Sequence, residues 1–199
     1  MTPVACSEFR VGVGFDMHRL VSGRPLILGG VLVPFERGLD GDSDADVLTH
    51  ALLDALLGAV GLGDIGAHFG VGRPENMGIS SLLLLERALA LVRAQGYQAN
   101  NVDATVVAEA PKLAPLFPAM RRTLAAVLGI TEAQVNLKGT TAKGLGAIGA
   151  GEGIAAYAVA SVVRLNAAEA RARPARPRRA VRSRNDATRA VRKASKRTT

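Results

Sequence analysis

The feature that most constrains the fold is the alternation, along the chain, of segments with strand-like and helix-like hydrophobic periods. Strand-like segments occupy residues 8–16, 25–35, 101–110, 135–140 and 154–165. One helix-like segment begins near Ser43, and two others cover residues 80–95 and 113–128. The 25–35 segment predicts two short strands joined at Gly29-Gly30. The 154–165 segment also fits a short helix, but its Val, Ile and Tyr content favours a strand. This order predicts an α/β fold of the α+β type, with one mixed sheet covered by helices.

The positive charge of the chain is concentrated at one end. The formal net charge is +8, yet twelve of the 25 Lys and Arg residues and only two of the 17 acidic residues lie after residue 165. The preceding part is therefore slightly acidic. Residues 166–199 contain no aromatic residue and too little apolar surface to fold alone. We predict an N-terminal extension at 1–8, a single domain at 9–165 and a disordered basic tail at 166–199.

Two features of the sequence indicate where the protein works. Cys6 is the only cysteine, which excludes a disulfide or a thiolate metal cluster within one chain and favours a reducing compartment. No apolar stretch reaches the roughly 18 residues that a membrane span needs, and the N-terminus lacks the pattern of a signal peptide. The sequence therefore predicts a cytoplasmic protein without a membrane partner.

Two histidines and an aspartate form the first candidate functional group. Asp16 and His18 are separated by one residue on a predicted strand, so their side chains leave the same face. In the next predicted helix, Asp46, His50 and Asp54 recur every four residues as a polar stripe on an otherwise apolar surface. Asp16, His18 and His50 are ligand types that a zinc-like ion prefers, and three protein ligands are typical of a catalytic site. A single histidine on a helix is, however, more often a hydrogen-bonded core or surface residue.

The glycine-rich segment at residues 138–153 is the second candidate. KGTTAKGLGAIGAGEG follows a predicted strand and offers hydroxyls, two lysines and bare backbone N–H groups, which together can bind phosphate. Residues 144–149 match the dinucleotide-binding pattern G-x-G-x-x-G. Because the next segment is a poor helix, we reject a Rossmann fold. The glycines are also compatible with a tight reversal between two strands.

The order of the motifs resembles one enzyme family. The segments are GFDMH at 14–18, ILGG at 27–30, SDADVLTHALLDALLGA at 43–59, GLGDIG at 61–66, NVDATVVAEAPKL at 101–113 and GEGIAAYAV at 151–159. In their order and spacing, over about residues 9–165, the chain resembles the 2-C-methyl-D-erythritol 2,4-cyclodiphosphate synthases of the non-mevalonate isoprenoid pathway. The basic tail falls outside the resemblance.

The resemblance implies a homotrimer with active sites between neighbouring subunits. It implies that a zinc-type ion, held by Asp16, His18 and His50, contacts the diphosphate of 4-diphosphocytidyl-2-C-methyl-D-erythritol 2-phosphate. The 2-phosphate of the substrate attacks the β-phosphorus, CMP leaves and the cyclic diphosphate forms, a phosphorus–oxygen lyase reaction without a protein nucleophile. By the same resemblance, Thr141 and Asp42 take catalytic positions. The implied substrate-binding residues are Asp16, Met17, His18, Asp42, Ser43, Asp64, Ile65, Gly66, Ala108, Lys112, Leu113, Thr140, Thr141 and Lys143.

The resemblance also divides these residues among the parts of the substrate. Asp64 and Gly66 hold the ribose, and the backbone of residues 108–114 reads the cytosine. Thr140 and Thr141 contact phosphate. The implied partner is therefore a small cytidine diphosphate compound, bound by groups that lie far apart in the sequence.

The sequence departs from the family pattern at four positions. Asp42 replaces a histidine and puts a carboxylate near phosphates that it repels. Lys143 replaces a glutamate that holds a magnesium ion, which makes that second ion doubtful here. We hypothesise that the Lys143 ammonium neutralises phosphate in place of the ion, although it lacks the geometry of a bridging metal. Ala150 replaces an arginine, and Val71 stands in a loop whose usual carboxylate is absent.

Two alternative functions remain open on the sequence. Because of the four substitutions, the chain could be a weakened or inactive relative that keeps the metal site and the trimer. It could instead be a nucleic-acid-associated protein that acts through the tail at 166–199. We expect that tail to bind polyanions weakly and without sequence preference, because it carries cations but no aromatic side chain.

Overall fold

The computed structural model describes residues 8–70, 72 and 76–166 of the chain. The predicted N-terminal extension apart from Glu8, the predicted disordered tail apart from Asn166, and Val71 lie outside the described residues. What the sequence predicts for those segments therefore stays a prediction.

A five-stranded sheet forms the centre of the fold. Its strands are β1 (Phe9–Ser22), β4 (Arg37–Leu39), β5 (Tyr97–Val107), β6 (Val135–Thr140) and β7 (Gly153–Arg164), in the spatial order β4-β1-β7-β5-β6. The pair of β5 and β6 is parallel, and the other neighbouring pairs in this sheet are antiparallel. The mixed sheet predicted from the sequence is confirmed, and the ambiguous 154–165 segment is a strand.

β1 extends further than its sequence pattern predicts. The alternation predicts an end at residue 16, but the strand pairs with β7 from Phe9 to Arg19 and with β4 from Leu20 to Ser22. Asp16 and His18 consequently lie inside the paired strand rather than at its end. Because side chains alternate between the two faces of a strand, both residues point toward the same side of the sheet.

Within the described residues, the other elements are a hairpin, five α-helices and two short 3₁₀-helices. The hairpin consists of β2 (Leu26–Leu28) and β3 (Val31–Val33), and the helices are α1 (Val47–Ala59), α2 (Ile65–Phe69), α3 (Ser81–Ala94), α4 (Phe117–Leu128) and α5 (Gly146–Gly149). The hairpin joined at Gly29-Gly30 and the three long helices are confirmed. β4, α2 and α5 were not predicted, because three to five residues carry too little periodicity.

Two helices begin later than predicted, each for a local reason. α1 begins at Val47 because Asp46 acts as its N-cap, with the carboxylate accepting the N–H of Thr49. α4 begins at Phe117 because the preceding Ala114–Leu116 segment is a turn of 3₁₀-helix.

The two faces of the sheet have different surroundings. On one face, α1 packs so closely on β1 that a Cβ added at Gly12 or Gly14 would lie 2.0 Å from a backbone oxygen of the helix. The other face leaves large apolar side chains exposed in the single chain, namely Phe9, Val11, Val13, Phe15, Met17, Tyr157 and Val159. Helices thus cover the sheet on one face. Among the described residues, none of the helices has both the length and the apolar character that a bilayer crossing requires.

Candidate metal centre and adjoining clefts

Asp16, His18 and His50 converge on one point between β1 and α1. Oδ2 of Asp16 lies 3.0 Å from Nε2 of His18 and 3.0 Å from Nδ1 of His50. These two ring nitrogens are 3.3 Å apart. Two imidazole nitrogens and one carboxylate oxygen in this arrangement suit a zinc-like ion with a fourth position left for another ligand. The predicted group is therefore brought together by the fold.

The two imidazoles are oriented by hydrogen bonds at their other ring nitrogens. Nδ1 of His18 lies 2.5 Å from the backbone oxygen of Asp40, which can only accept, so Nδ1 carries the proton and Nε2 keeps its lone pair. Nε2 of His50 lies 2.8 Å from Oγ of Ser81 and 3.2 Å from Oγ of Ser43. Asp40 and Ser81 were not predicted from the sequence. Asp40 acts through its backbone, and the only signal for Ser81 is its place at a helix start.

The charges of the three residues depend on one another. Burial raises the pKa of Asp16, but the interactions with His18 and His50 outweigh that effect and hold the pKa well below its usual range. Burial lowers the pKa of His18, and the interaction with Asp16 outweighs burial, so that the pKa of His18 is raised. Asp16 is therefore an anion at neutral pH, and a metal cation and a proton compete for His18.

The three residues of the polar stripe predicted along α1 have different roles. The buried carboxylate of Asp46 accepts hydrogen bonds from the backbone N–H groups of the β2–β3 turn and of Thr49. Burial raises the pKa of Asp46, and its contacts join the hairpin to the start of α1. Asp54 accepts the N–H of Ile65 at 2.8 Å, and burial raises its pKa as well. In this stripe, only His50 belongs to the candidate metal-binding group.

A cleft of about 300 Å³ opens beside the three side chains. The predicted substrate-binding residues that line it are Asp16, His18, Asp42, Ser43, Ile65 and Gly66. Asp64 caps the neighbouring helix α2, where its side chain accepts the N–H of Ala67 at 2.8 Å. The side chain of Met17 is exposed on the opposite face of β1, so only its backbone can face this cleft.

A second cleft, of about 520 Å³, lies at the ends of β5 and β6. The remaining predicted residues line it, namely Ala108, Lys112, Leu113, Thr140, Thr141 and Lys143. No described residue lines both clefts. One chain therefore carries the predicted residues as two separate groups.

The glycine-rich segment forms neither a dinucleotide-binding loop nor a simple reversal. Its GLGAIG part contains the four-residue helix α5, after which the chain enters strand β7. Lys143 has a positive φ of 58°, which is uncommon for a residue other than glycine, and it lines the second cleft. Ala150 ends α5 as its C-cap.

Comparison with known proteins gives one consistent picture. A family model described as the YgbB family matches residues 9–163. The 2-C-methyl-D-erythritol 2,4-cyclodiphosphate synthase of Alkaliphilus metalliredigens is 57% identical over 153 residues, which are 77% of this chain and 96% of the relative. The synthase of the same name from Symbiobacterium thermophilum is 56% identical over 152 residues, 76% of this chain and 97% of the relative.

The fold is also similar to solved structures that carry this name. A structure of 2C-methyl-D-erythritol-2,4-cyclodiphosphate synthase in a CDP-bound form has a TM-score of 0.71 and 37% sequence identity. The similarity covers 77% of this chain and 99% of the solved chain.

Proposed function

The chain belongs to the YgbB family, and we propose that it converts 4-diphosphocytidyl-2-C-methyl-D-erythritol 2-phosphate to 2-C-methyl-D-erythritol 2,4-cyclodiphosphate with release of CMP. One observation carries the proposal. Asp16, His18 and His50 offer ligand atoms within 4.8 Å of one another beside a cleft, in a chain more than half identical to synthases of this name. The protein is thus an enzyme of isoprenoid biosynthesis, and its cytoplasmic location stays a prediction.

The proposed reaction is an intramolecular phosphoryl transfer. An oxygen of the substrate's 2-phosphate forms a bond to the β-phosphorus. The bond from that phosphorus to the oxygen shared with CMP breaks, and its electron pair leaves with CMP. Because no water enters, the enzyme would be a phosphorus–oxygen lyase. The protein then has to position the two phosphates and offset their charge, and Thr140 and Thr141 would supply hydroxyls for that purpose.

Asp16, His18 and His50 would hold a divalent cation, for which zinc is the best match. Nε2 of His18 has no proton in the neutral ring, and Oδ2 of Asp16 is an anion 3.0 Å away, so these two acceptors repel unless a cation or a proton lies between them. Two nitrogens and one oxygen are donors that zinc accepts. A zinc-type ion bound there would act as a Lewis acid toward a phosphoryl oxygen.

A homotrimer with active sites between subunits is part of the proposal, and two features support it. The residues assigned to the metal and the ribose line or adjoin one cleft, whereas those assigned to cytosine line the other. In a cyclic trimer, the first cleft of one subunit can face the second cleft of its neighbour. The uncovered sheet face also exposes Phe9, Val11 and Val13 by 67%, 56% and 71%, an apolar surface typical of an interface.

The proposed function is tested by CMP release. Purified protein with one equivalent of zinc should convert the cytidine diphosphate substrate to CMP and the cyclic diphosphate. Asp16→Asn removes a charged ligand and should reduce the rate at least about 100-fold. Glu86→Gln, which alters an exposed carboxylate on α3, is the matched control and should leave the rate unchanged. Failure of the zinc-loaded protein to release CMP would overturn the proposal.

Lys143 stands where the family resemblance implies a glutamate ligand for a second metal ion. We propose that its ammonium neutralises substrate phosphate at the position where the family resemblance implies a magnesium ion, because it lines the second cleft beside Thr140 and Thr141. CMP release by the zinc-loaded enzyme should then vary little across a magnesium titration, whereas Lys143→Glu should make the rate depend on magnesium. Strict magnesium dependence of the unaltered enzyme would count against this role.

The two alternative functions have less support. The hypothesis of a catalytically weakened relative is based on the substitutions at Asp42, Val71, Lys143 and Ala150. The rate of CMP release distinguishes it from an active synthase. A nucleic-acid role rests on residues 166–199, most of which lie outside the described residues. Deleting 167–199 should leave CMP release and subunit assembly unchanged, and loss of either would give the tail a role in the enzyme.

A further inference from the structure

Asp44 and Ser81 form a hydrogen-bonded chain that ends at His50. Ser81 is the first residue of α3 and is fully buried, and its hydroxyl lies 2.8 Å from Nε2 of His50. The same hydroxyl donates to Oδ1 of Asp44, while the backbone N–H of Ser81 donates to Oδ2 at 3.0 Å. Asp44 therefore holds Ser81 through both carboxylate oxygens. Neither residue lines the cleft beside the candidate metal centre.

The position of each proton in this chain follows from the available donors. A carboxylate can only accept, and a serine hydroxyl has one proton to give, so the proton of Ser81 is committed to Asp44. Oγ of Ser81 must then accept from His50, which puts the ring proton on Nε2. Nδ1 of His50, 3.0 Å from Oδ2 of Asp16, keeps its lone pair for a cation.

A second hydroxyl near His50 is less suited to this task. Oγ of Ser43 lies 3.2 Å from Nε2 of His50 and accepts the backbone N–H of Ala45 at 3.0 Å. Its contact with the ring is longer than that of Ser81, and no carboxylate takes its proton among the contacts described. Ser43 can consequently donate to the ring as readily as accept from it. It does not select one tautomer of His50.

We propose that Ser81, held by Asp44, is a positioning residue that fixes the tautomer and orientation of His50 for metal binding. This inference rests on the proposed metal centre and adds two residues that touch neither the cation nor the substrate. Donation to Asp44 makes Oγ of Ser81 a better acceptor, which strengthens its bond to His50 and raises the basicity of Nδ1. The start of α3 would thereby control a ligand carried by α1.

Zinc affinity is the first test, measured by competition with a chromophoric chelator and without substrate. Ser81→Ala should weaken zinc binding about 10–100-fold, the usual effect of removing a hydrogen-bond partner from a ligating histidine. Asp44→Asn should act in the same direction, because an amide can donate to Ser81 and turn the serine proton toward His50. Ser80→Ala is the matched control and should bind zinc normally, since this exposed serine makes no side-chain cap bond to α3.

The tautomer of His50 is the second test, read from ¹⁵N spectra of the zinc-free protein in its neutral imidazole form. We expect the proton on Nε2 in the unaltered protein and a mixture of tautomers in Ser81→Ala. If the unaltered protein binds no zinc, the proposed metal centre itself fails. If it binds zinc, but Ser81→Ala binds equally tightly, the positioning role is overturned and the metal centre stands. Should Ser81→Ala not fold, a proton on Nδ1 in the unaltered protein would overturn the role.

Discussion

At the scale of single residues, Asp42 is the substitution with the clearest electrostatic consequence. Its carboxylate lines the cleft beside the candidate metal centre, and its Oδ2 accepts the N–H of Gly72 at 2.6 Å. Asp42→Asn can keep that hydrogen bond while removing a negative charge from the cleft where the proposed function places the substrate phosphates. We expect KM to fall about fivefold, equivalent to ~1 kcal/mol of relieved repulsion. Steady-state CMP release measures it.

The neighbouring Asp40 provides the control for this prediction. Its side chain is 63% exposed and lies 3.9 Å from Arg24, so Asp40→Asn should change KM much less. A fall in kcat for Asp42→Asn, with KM unchanged, would contradict the repulsion argument. It would instead support the catalytic position that the family resemblance gives to Asp42.

The site residues that could be predicted are those that belong to a local periodic pattern in the sequence. Asp16 and His18 could be paired because the two-residue period of a strand puts both side chains on one face. His50 could be added from its stripe on a helix. The contact from Ser81 to His50 joins residues 31 positions apart and depends on how α3 packs against α1, which no local pattern encodes.

At the scale of elements, the packing of α1 on β1 sets the geometry of the metal-binding group. A Cβ at Gly14 would lie 2.0 Å from the backbone oxygen of Ala51 and 2.7 Å from the backbone nitrogen of Ala55. Gly14→Ala should therefore push α1 away from β1 and reduce the free energy of unfolding by about 3 kcal/mol. Zinc affinity should fall as well, because Asp16 and His50 separate. Urea unfolding with zinc titration measures both.

Gly58→Ala is the matched control for that substitution. The nearest atom to its added Cβ is the backbone oxygen of Val13 at 4.0 Å, and alanine is the better helix former. The free energy of unfolding should rise by up to about 1 kcal/mol. Equal stability of the two variants would contradict the close packing at Gly14.

The ends of three strands are joined by the carboxylate of Glu8. It accepts hydrogen bonds from Tyr97 at 2.5 Å, from Arg164 at 2.7 Å and from Arg10 at 3.1 Å. These bonds lower the pKa of Glu8 to about 2, with Tyr97 contributing most. Because the folded-state pKa is lowered, the stabilisation is present above the unfolded value of 4.5 and is lost as pH falls toward 2.

This pH dependence can be read from melting temperatures. Glu8→Gln should lower the Tm at pH 7 and lower it less at pH 3, where the unaltered carboxylate has lost part of its advantage. The exposed Glu86→Gln serves as the control and should shift the Tm at neither pH. An equal effect of Glu8→Gln at both pH values would show that the charge of Glu8 does not matter.

Long elements were predictable, whereas short ones were predictable only where a turn signal such as Gly29-Gly30 marked them, as in β2 and β3. The three long helices repeat their hydrophobic pattern over several turns, and β6 repeats its alternation over several residues, so each pattern can be recognised. The sequence pattern places the end of β1 too early because the second half of the strand, around Arg19, owes its conformation to pairing with β7 and β4 rather than to its own alternation. Helix α2 contains five residues and no buried side chain, so its formation depends on the cap at Asp64.

At the scale of the whole molecule, a substitution on the exposed apolar face of the sheet can test the proposed trimer. Val13 is 71% exposed in the single chain, so Val13→Asp should leave the subunit folded but place a charge in the interface. We expect light scattering to report a monomer mass in place of a trimer, together with loss of CMP release. Leu32→Asp, at a residue 65% exposed in the separate hairpin, should stay trimeric. A trimer for Val13→Asp would put the interface elsewhere.

We propose that one strand and one helix hold a single cation through Asp16, His18 and His50. The most direct measurement is anomalous diffraction at the zinc edge from crystals of the zinc-loaded protein. We expect one strong peak per chain, about 2.0–2.2 Å from Oδ2 of Asp16, Nε2 of His18 and Nδ1 of His50. A fully loaded crystal with no peak at these three atoms, or with its zinc bound to other residues, would show that these residues do not form the metal site.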